Sequence, residues 1–533
     1  MTSAHVDTFT RDNLPPEDQW PDLIFELPEL SYPEQMNCAT ELLDKAVERG
    51  WGERVALIGG DITWTYADLL REANRIARVL VEDLEVVPGN RVLLRSANTP
   101  QMVAAWFAIQ KAGAVAVATM PLLRAGELKK VIDKAQVSLA LCDARMTDEL
   151  DKSEVPGLTI VPWGGETADD LFALASHKPQ EFTNVDTEVT DVSILAFTSG
   201  TTGVPKGTMH FHRDILAMAD CFPPYVLEAT GDDIFTGSPP LAFTFGLGGL
   251  AVFPMRIGAT TVLVDQPGME PLLEAIQSHR ATVCFTAPVA WRAMVDFKDA
   301  FDLSSLRKGV SAGETLPAPT WHSFHDATGI KLIDGIGSTE MLHIFISSSG
   351  DDIRPGSTGQ EVPGYEAKVV DADGNEVEDG EVGKLAVRGP TGCRYLDDPR
   401  QKDYVQNGWN LTGDAYIRDQ DGYFWYQART DDMIITAGYN VAAPEVEGAL
   451  LSHPAVMETG VVGVPDAERG TVIKAYVVPR EGHEPSEELR QKLQDHVKAE
   501  IAPYKYPRLV EFMDDLPRTE TGKVQRFKLR ELS

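Results

Sequence analysis

Two hydrophobic rhythms alternate along most of this chain. Leu69, Leu70, Ala73, Ile76, Ala77 and Leu80 recur every three or four positions, the spacing of one helical face, and Thr65 stands where it would cap that helix. Between such stretches come short apolar runs: Val55-Ala-Leu-Ile, Arg91-Val-Leu-Leu and Ala114 to Thr119. Pro88-Gly-Asn reads as a turn, Asn37 to Arg49 as a helix, and Pro100 to Ala112 as a helix stopped by Gly113. Strand, helix and strand at this spacing predict βαβ units and a largely parallel sheet. The same rhythm predicts strands at 261–264 and 282–285, helices at 270–279 and 288–297, and a second alternating block over 301–340.

Two segments break the rhythm. From 355 to 425 the chain carries short β segments with frequent Gly, Asp and Pro, which predicts a smaller β-rich lobe. After Arg429-Thr-Asp-Asp come a helix (444–451), strands (457–464 and 474–478), a long helix (486–501) and a Lys/Arg-rich tail. That is a compact α+β unit of ordinary domain size. The expected fold class is α/β: a large N-terminal domain over 1–430, built on parallel-type βαβ sheets plus the β-rich lobe, and a small mobile α+β domain over 431–533. Residues 1 to about 35 are rich in Pro, Asp and Glu and read as an irregular surface arm. The 533-residue length fits this division, being too long for one ordinary core.

Composition narrows the function. Hydrophobic content of 43% and charged content of 24% are those of a globular protein. A formal net charge of −33 argues against a nucleic-acid partner, and it means that an anionic substrate must meet a local positive site inside a repelling field. Cys38, Cys142, Cys221, Cys284 and Cys393 are odd in number, scattered, and show no Cys-x-x-Cys pair, so neither a disulfide framework nor a zinc site follows. No signal-peptide pattern opens the chain and no run of about 18 apolar residues occurs, so the expected place is the cytoplasm, with no membrane partner.

The chemistry begins at Thr198-Ser-Gly-Thr-Thr-Gly-Val-Pro-Lys-Gly207. Gly200, Gly203 and Gly207 permit positive φ and close approach, and successive backbone N–H groups there can form an anion nest. Thr198, Ser199, Thr201 and Thr202 add hydroxyl donors, and Lys206 adds a point charge. Pro205 separates Gly203 from Lys206, and a β-leaning run follows, so this is not a Walker A loop. By itself the run fits a phosphate loop or a flexible surface loop equally well.

Four further segments follow in order: Asp334-Gly-Ile-Gly-Ser-Thr-Glu340, Gly408-Trp-Asn-Leu-Thr-Gly-Asp414, Arg429-Thr-Asp-Asp-Met-Ile with Ala437-Gly-Tyr-Asn440, and Pro517-Arg-Thr-Glu-Thr-Gly-Lys-Val-Gln-Arg526. The set of five resembles the adenylate-forming superfamily of acyl-CoA synthetases, luciferases and non-ribosomal peptide adenylation domains. The resemblance implies catalytic roles for Lys523, Glu340, Lys206 and Thr198, with Glu340 the Mg²⁺ ligand. It implies that Ser199, Gly200, Thr201, Thr202 and Gly203 hold ATP phosphates, and that Gly313 and Glu314 pass the adenine edge. Asp334, Gly335, Ile336, Gly337, Ser338 and Thr339 line the nucleotide, with Gly335 and Gly337 read as a tight turn. Ile336 stands where an aromatic residue is common, and Tyr426 offers contact from another side. Asp414 and Arg429 reach the ribose, Asp431 is the hinge, and Ala437, Gly438 and Tyr439 border the CoA tunnel. Taken singly, Asp414 also fits an Asx-turn, Thr339-Glu340 a helix cap, Asp431 a linker and Lys523 a solvated surface charge.

The cofactors implied are ATP, Mg²⁺ and CoA, and the partners a small carboxylic acid and CoA, with a homodimer or a monomer equally open. Phe211, Phe243, Thr244, Phe245, Gly246, Met341, His343 and Ile344 are the expected acid pocket, apolar and without an acidic residue for an α-amino group. The 334–345 stretch looks like benzoate-type CoA ligases. Gly389-Pro-Thr-Gly-Cys-Arg-Tyr395 and Phe424-Trp-Tyr-Gln-Ala-Arg429 look like 2-aminobenzoate–CoA ligases. An aromatic acid, 2-aminobenzoate or benzoate, is the expected substrate. The alternatives are an adenylating enzyme that loads a carrier protein, a medium-chain acyl-CoA synthetase, a luciferase-like oxidase and a regulatory nucleotide binder.

Overall fold

The computed structural model describes residues 3–532 except 166, 199–204, 430–433, 437–438, 467–469, 502–504 and 519–523. The predicted rhythm becomes two large sheets. A six-stranded sheet runs Thr159–Trp163, Leu139–Asp143, Arg91–Arg95, Val115–Thr119, Val192–Thr198 and Lys206–Phe211. Its strands are parallel until the last, which folds back antiparallel on its predecessor. A nine-stranded sheet is parallel in its middle and antiparallel at both ends, where Ile62–Thr65 and Ile344–Ser347 turn back on their neighbours. The sheets are therefore mixed at their edges, and one of those edge reversals carries the Gly/Ser/Thr run.

Local chemistry explains the elements. Thr65 caps the helix Tyr66–Arg78 in a capping box with Asp68, which satisfies the first backbone donors reciprocally. The helix Pro100–Lys111 buries every residue but Gln101. A helix apolar all round must be interior, and this one shares a core cluster with Val92 and Leu94 of one sheet and Leu57 and Leu263 of the other. The two sheets are thus packed into one core through it.

The β-rich lobe forms as expected, with the antiparallel strands Glu366–Val370, Gly383–Arg388, Trp409–Arg418 and Phe424–Arg429. The C-terminal unit has its own core and a three-stranded sheet of Val456–Asp466, Gly470–Pro479 and Leu509–Phe512, with the helix Glu487–Glu500 capped by Ser486. Arg292 bridges the two units by donating to the Val456 carbonyl at 2.7 Å. No described helix is long and apolar enough to cross a membrane.

Candidate active site

Thr198 pairs with Lys206 at the end of the last two strands of the six-stranded sheet, which run antiparallel. Ser199, Gly200, Thr201, Thr202 and Gly203 lie outside the described residues. Gly207 lies inside the strand Lys206–Phe211, not at a positive-φ position. The Lys206 ammonium sits 3.4 Å from the Tyr395 hydroxyl.

Opposite stands the strand Leu332–Gly337 with the segment that follows it. Gly335 and Gly337 do not make the expected tight turn; both are extended and pair with Ser347 and Ile344. Their smallness serves packing instead. A Cβ on Gly337 would come 2.7 Å from the His343 carbonyl oxygen. The turn comes later, at Leu342, whose φ of 72° is uncommon for a bulky residue. Such local strain persists only where surroundings impose it. Leu342 is fully buried, and the segment before it is clamped by His210, whose Nε2 lies 2.7 Å from the Thr339 carbonyl oxygen. Ser338 Oγ accepts from the Met341 backbone at 3.1 Å.

This turn aims Glu340 inward. The residue is only 9% exposed. Its Oε1 accepts a 2.6 Å hydrogen bond from Tyr395. Among the described residues no cluster of three or more His, Cys, Asp or Glu could cage a metal. One carboxylate beside phosphate-holding groups is the donor set Mg²⁺ takes when substrate phosphates supply the rest. Glu340 therefore fits a nucleotide-borne Mg²⁺.

Asp334 begins the same stretch, beside Ser311 on the neighbouring strand. Its Oδ1 is covered and has no well-aligned hydrogen-bond partner among the described residues, and burial, outweighing the Gly335 and Leu316 backbone, pushes its carboxyl up to about 8. Gly313 follows the Ser311 strand at a φ of 92°, with open space where a side chain would stand, and Glu314 comes next. Ile336 and Tyr426 are half-buried, and Tyr426 rests edge-on against Tyr416 at 5.4 Å.

Asp414 is a strand residue rather than the head of a polar turn. It lies in Trp409–Arg418 directly opposite Arg429, whose Nη1 is 3.1 Å from Asp414 Oδ1. Gly413 takes a φ of 78° and leaves room for that guanidinium; a Cβ there would lie 3.1 Å from Arg429 Nη2. The nearby carboxylate holds the Arg429 guanidinium above its ordinary value.

Phe243 precedes the short helix Thr244–Leu247, which contains Thr244, Phe245 and Gly246. Phe245 faces His343 at 5.7 Å between centroids. Phe253, Phe222 and Phe285 complete a ring of aromatics around that imidazole at 4.5, 5.7 and 6.4 Å. Neither His343 nitrogen makes a hydrogen bond of good geometry among the described residues. Burial pushes the group down to about 3, against a weaker upward pull from the Phe245 backbone, so it is neutral. Met341 and Ile344 are buried alongside.

Phe211 does not join this group. Strand alternation sends Met209 and Phe211 to the opposite face from His210. The Phe211 ring packs under the Arg394 guanidinium at 4.0 Å and beside Trp20 at 5.7 Å. It belongs to the core on the other side of the six-stranded sheet. The sequence reading also missed Phe222, Phe253 and Phe285, which look like core positions, and His210, Tyr395 and Tyr404. In the sequence the 389–395 segment carries only a likeness to related ligases and no sign of position.

Asp431, Ala437, Gly438 and Lys523 lie outside the described residues. Tyr439 opens the strand Tyr439–Val441, which pairs with Ile434–Thr436. Beyond 523, Arg526 pairs with Glu447 at 2.8 Å. The helix Ala443–Leu451, which carries Glu447, packs against the strand Phe424–Arg429.

A family model described as AMP-binding enzyme matches residues 43–394. The chain belongs to the AMP-binding enzyme family. The model for the C-terminal domain of AMP-binding enzymes matches residues 445–523. Among curated members, the chain is 34% identical to benzoate–CoA ligase of Thauera aromatica, over 94% of this chain and 97% of that protein. It is 33% identical to 3-hydroxybenzoate–CoA ligase of Aromatoleum sp. (strain CIB), over 93% and 97%. Among solved structures, it superposes with a TM-score of 0.91 and 35% identity on anthranilate CoA ligase AuaEII in complex with anthranoyl-AMP, covering 95% of this chain and 99% of that one. These similarities place this AMP-binding enzyme in the aromatic acid–CoA ligase branch.

Proposed function

We propose that this chain is an ATP-dependent, AMP-forming acid–CoA ligase for an aromatic acid, with 2-aminobenzoate the first candidate and benzoate the second. The observation that carries the substrate reading is His343, a neutral imidazole held, among the described residues, only by a weak contact to the Phe245 backbone inside an aromatic ring of Phe222, Phe245, Phe253 and Phe285. A benzoate ring suits such walls, and an ortho amino group would give the imidazole a better-aligned partner than the Phe245 backbone. The names of the relatives support the same class and do not favour a carrier-loading or medium-chain reading.

The first step joins the acid's carboxylate oxygen to the α-phosphorus and releases pyrophosphate. Thr198, Lys206 and the 199–203 run hold the phosphates that leave. Mg²⁺, held by Glu340 when nucleotide is bound, would neutralise charge on those phosphates. Asp334 stands at the adenine end of the site, Ile336 and Tyr426 cover the base, and Gly313 with Glu314 lines its edge. Gly335, Gly337, Ser338 and Thr339 form the strand edge and turn beside it. Asp414 accepts from the ribose hydroxyls, with Arg429 holding it. Lys523 stabilises the charge that builds between carboxylate and α-phosphate. In the second step the domain over 431–533 rotates about Asp431, and Ala437, Gly438 and Tyr439 border the path of CoA. Its thiol, losing its proton, displaces AMP from the acyl carbon. Phe243, Thr244, Phe245, Gly246, Met341, His343 and Ile344 hold the acid. The proposed location is the cytoplasm.

A panel of acids in an ATP- and CoA-dependent pyrophosphate-release assay tests this reading. 2-Aminobenzoate and benzoate are expected to lead. A marked preference for straight-chain fatty acids would overturn it.

A further inference from the structure

Tyr395 is fully buried, and its hydroxyl lies between two groups of opposite charge. It donates to Glu340 Oε1 at 2.6 Å, and the Lys206 ammonium approaches the same oxygen at 3.4 Å. A phenol has one proton to give. That proton goes to the carboxylate, so the phenol oxygen accepts from the lysine. The two charges are not themselves an ion pair in the structure; the hydroxyl stands where a direct contact would form.

The position of this hydroxyl is imposed by the fold. The Tyr395 backbone N–H donates to Gln401 Oε1 at 2.8 Å, and its ring meets Tyr404 edge-on at 5.8 Å. On either side of it, Met209 donates to the Arg394 carbonyl and Leu396 to the Gly207 carbonyl, each at 2.8 Å. Tyr395 is therefore stitched to the strand that carries Lys206 while it reaches across to the turn that carries Glu340.

Opposite charges in a poorly solvated cleft attract strongly. A direct Lys206–Glu340 contact would occupy the lysine needed for phosphate and the carboxylate needed for Mg²⁺. We infer that Tyr395 is a positioning residue for adenylation: its hydroxyl fixes Glu340 Oε1 and keeps lysine and glutamate apart, leaving Oε2 for the metal and the ammonium for phosphate. This rests on the roles proposed above for Glu340 and Lys206.

The test is Tyr395→Phe, which keeps the ring and its packing. Two quantities are read: the Mg²⁺ concentration that half-saturates acid-dependent ATP–pyrophosphate exchange, and Mn²⁺ affinity of the enzyme–ATP complex by electron paramagnetic resonance. Both are expected to weaken about tenfold, as loss of a partner that orients a metal ligand does. Thioester formation from supplied acyl-adenylate should stay within about twofold of wild type, since no metal ligand is needed there. Adding Lys206→Met to Tyr395→Phe should bring Mn²⁺ affinity back toward wild type, because the competing cation is gone. Unchanged metal dependence in Tyr395→Phe, or equal loss in both half-reactions, overturns the inference, as does a double variant no better than the single. Glu340→Gln separates the two levels. If it weakens Mn²⁺ binding while Tyr395→Phe does not, only the tyrosine's role fails. If it leaves Mn²⁺ binding untouched, the role of Glu340 fails and that of Tyr395 falls with it.

Discussion

Arg429 and Asp414 meet across two adjacent antiparallel strands, Nη1 to Oδ1 at 3.1 Å, fifteen residues apart in sequence. The carboxylate is mostly covered and the guanidinium more exposed. The acid is thus held in place by its partner while the arginine keeps reach toward the cleft. Asp414→Ala should weaken AMP binding by about 1.5–3 kcal/mol, the range for hydrogen bonds to a charged group. Arg429→Ala should weaken it less. Calorimetric titration of AMP reads both, and reversal of that order would contradict the geometry.

Lys523→Ala should abolish acyl-adenylate formation and spare thioester formation from supplied acyl-adenylate. Pyrophosphate release and CoA consumption, assayed separately, distinguish the steps. Equal loss in both would remove Lys523 from the adenylation chemistry.

Burial raises the Asp334 carboxyl from its ordinary 3.8 to about 8. The folded protein therefore holds a proton there that the unfolded chain has released. The stabilisation is complete below about pH 3.8 and is lost as pH rises to about 8. Asp334→Asn, which cannot ionise, should flatten that decline. The difference in melting temperature between variant and wild type should shift in the variant's favour from pH 5 to pH 8. Parallel melting curves across this range would show that Asp334 is ionised in the folded state.

His343→Phe keeps an aromatic ring and removes both nitrogens. The kcat/KM for 2-aminobenzoate should fall about 10- to 100-fold, while that for benzoate changes by less than about threefold. Equal losses for the two acids would show that the imidazole packs against the ring without reading its substituent.

Much of this was legible in the sequence, for physical reasons. Thr65 as a helix cap, the apolar stripe of 69–80 and the strand runs all report local preferences that the tertiary structure reinforces. The motifs marked the cleft because phosphate, metal and ribose each need particular residue types. What stayed hidden depended on direction. Phe211 is an expected wall of the acid pocket from the sequence, and strand alternation turns it to the other face of the sheet. Gly335 and Gly337 suggested a turn, but pairing with the next strand made them extended and moved the turn to Leu342, which nothing in its side chain announces. Phe222, Phe253 and Phe285 come from three separate elements, and only folding gathers them around His343. Tyr395 gains its importance from a contact made 55 residues away.

All five thiols are buried, and burial raises each above the ordinary cysteine value; Cys38, Cys142 and Cys221 are pushed up to about 12. Thiolate is the reactive form, so the unaltered protein should be nearly silent toward maleimides at neutral pH. A cysteine introduced on each side of the 430/431 boundary would then be the preferred attachment point for a fluorophore. Energy transfer between two such dyes could follow the proposed rotation turnover by turnover, in a protein that has not first been stripped of its native cysteines.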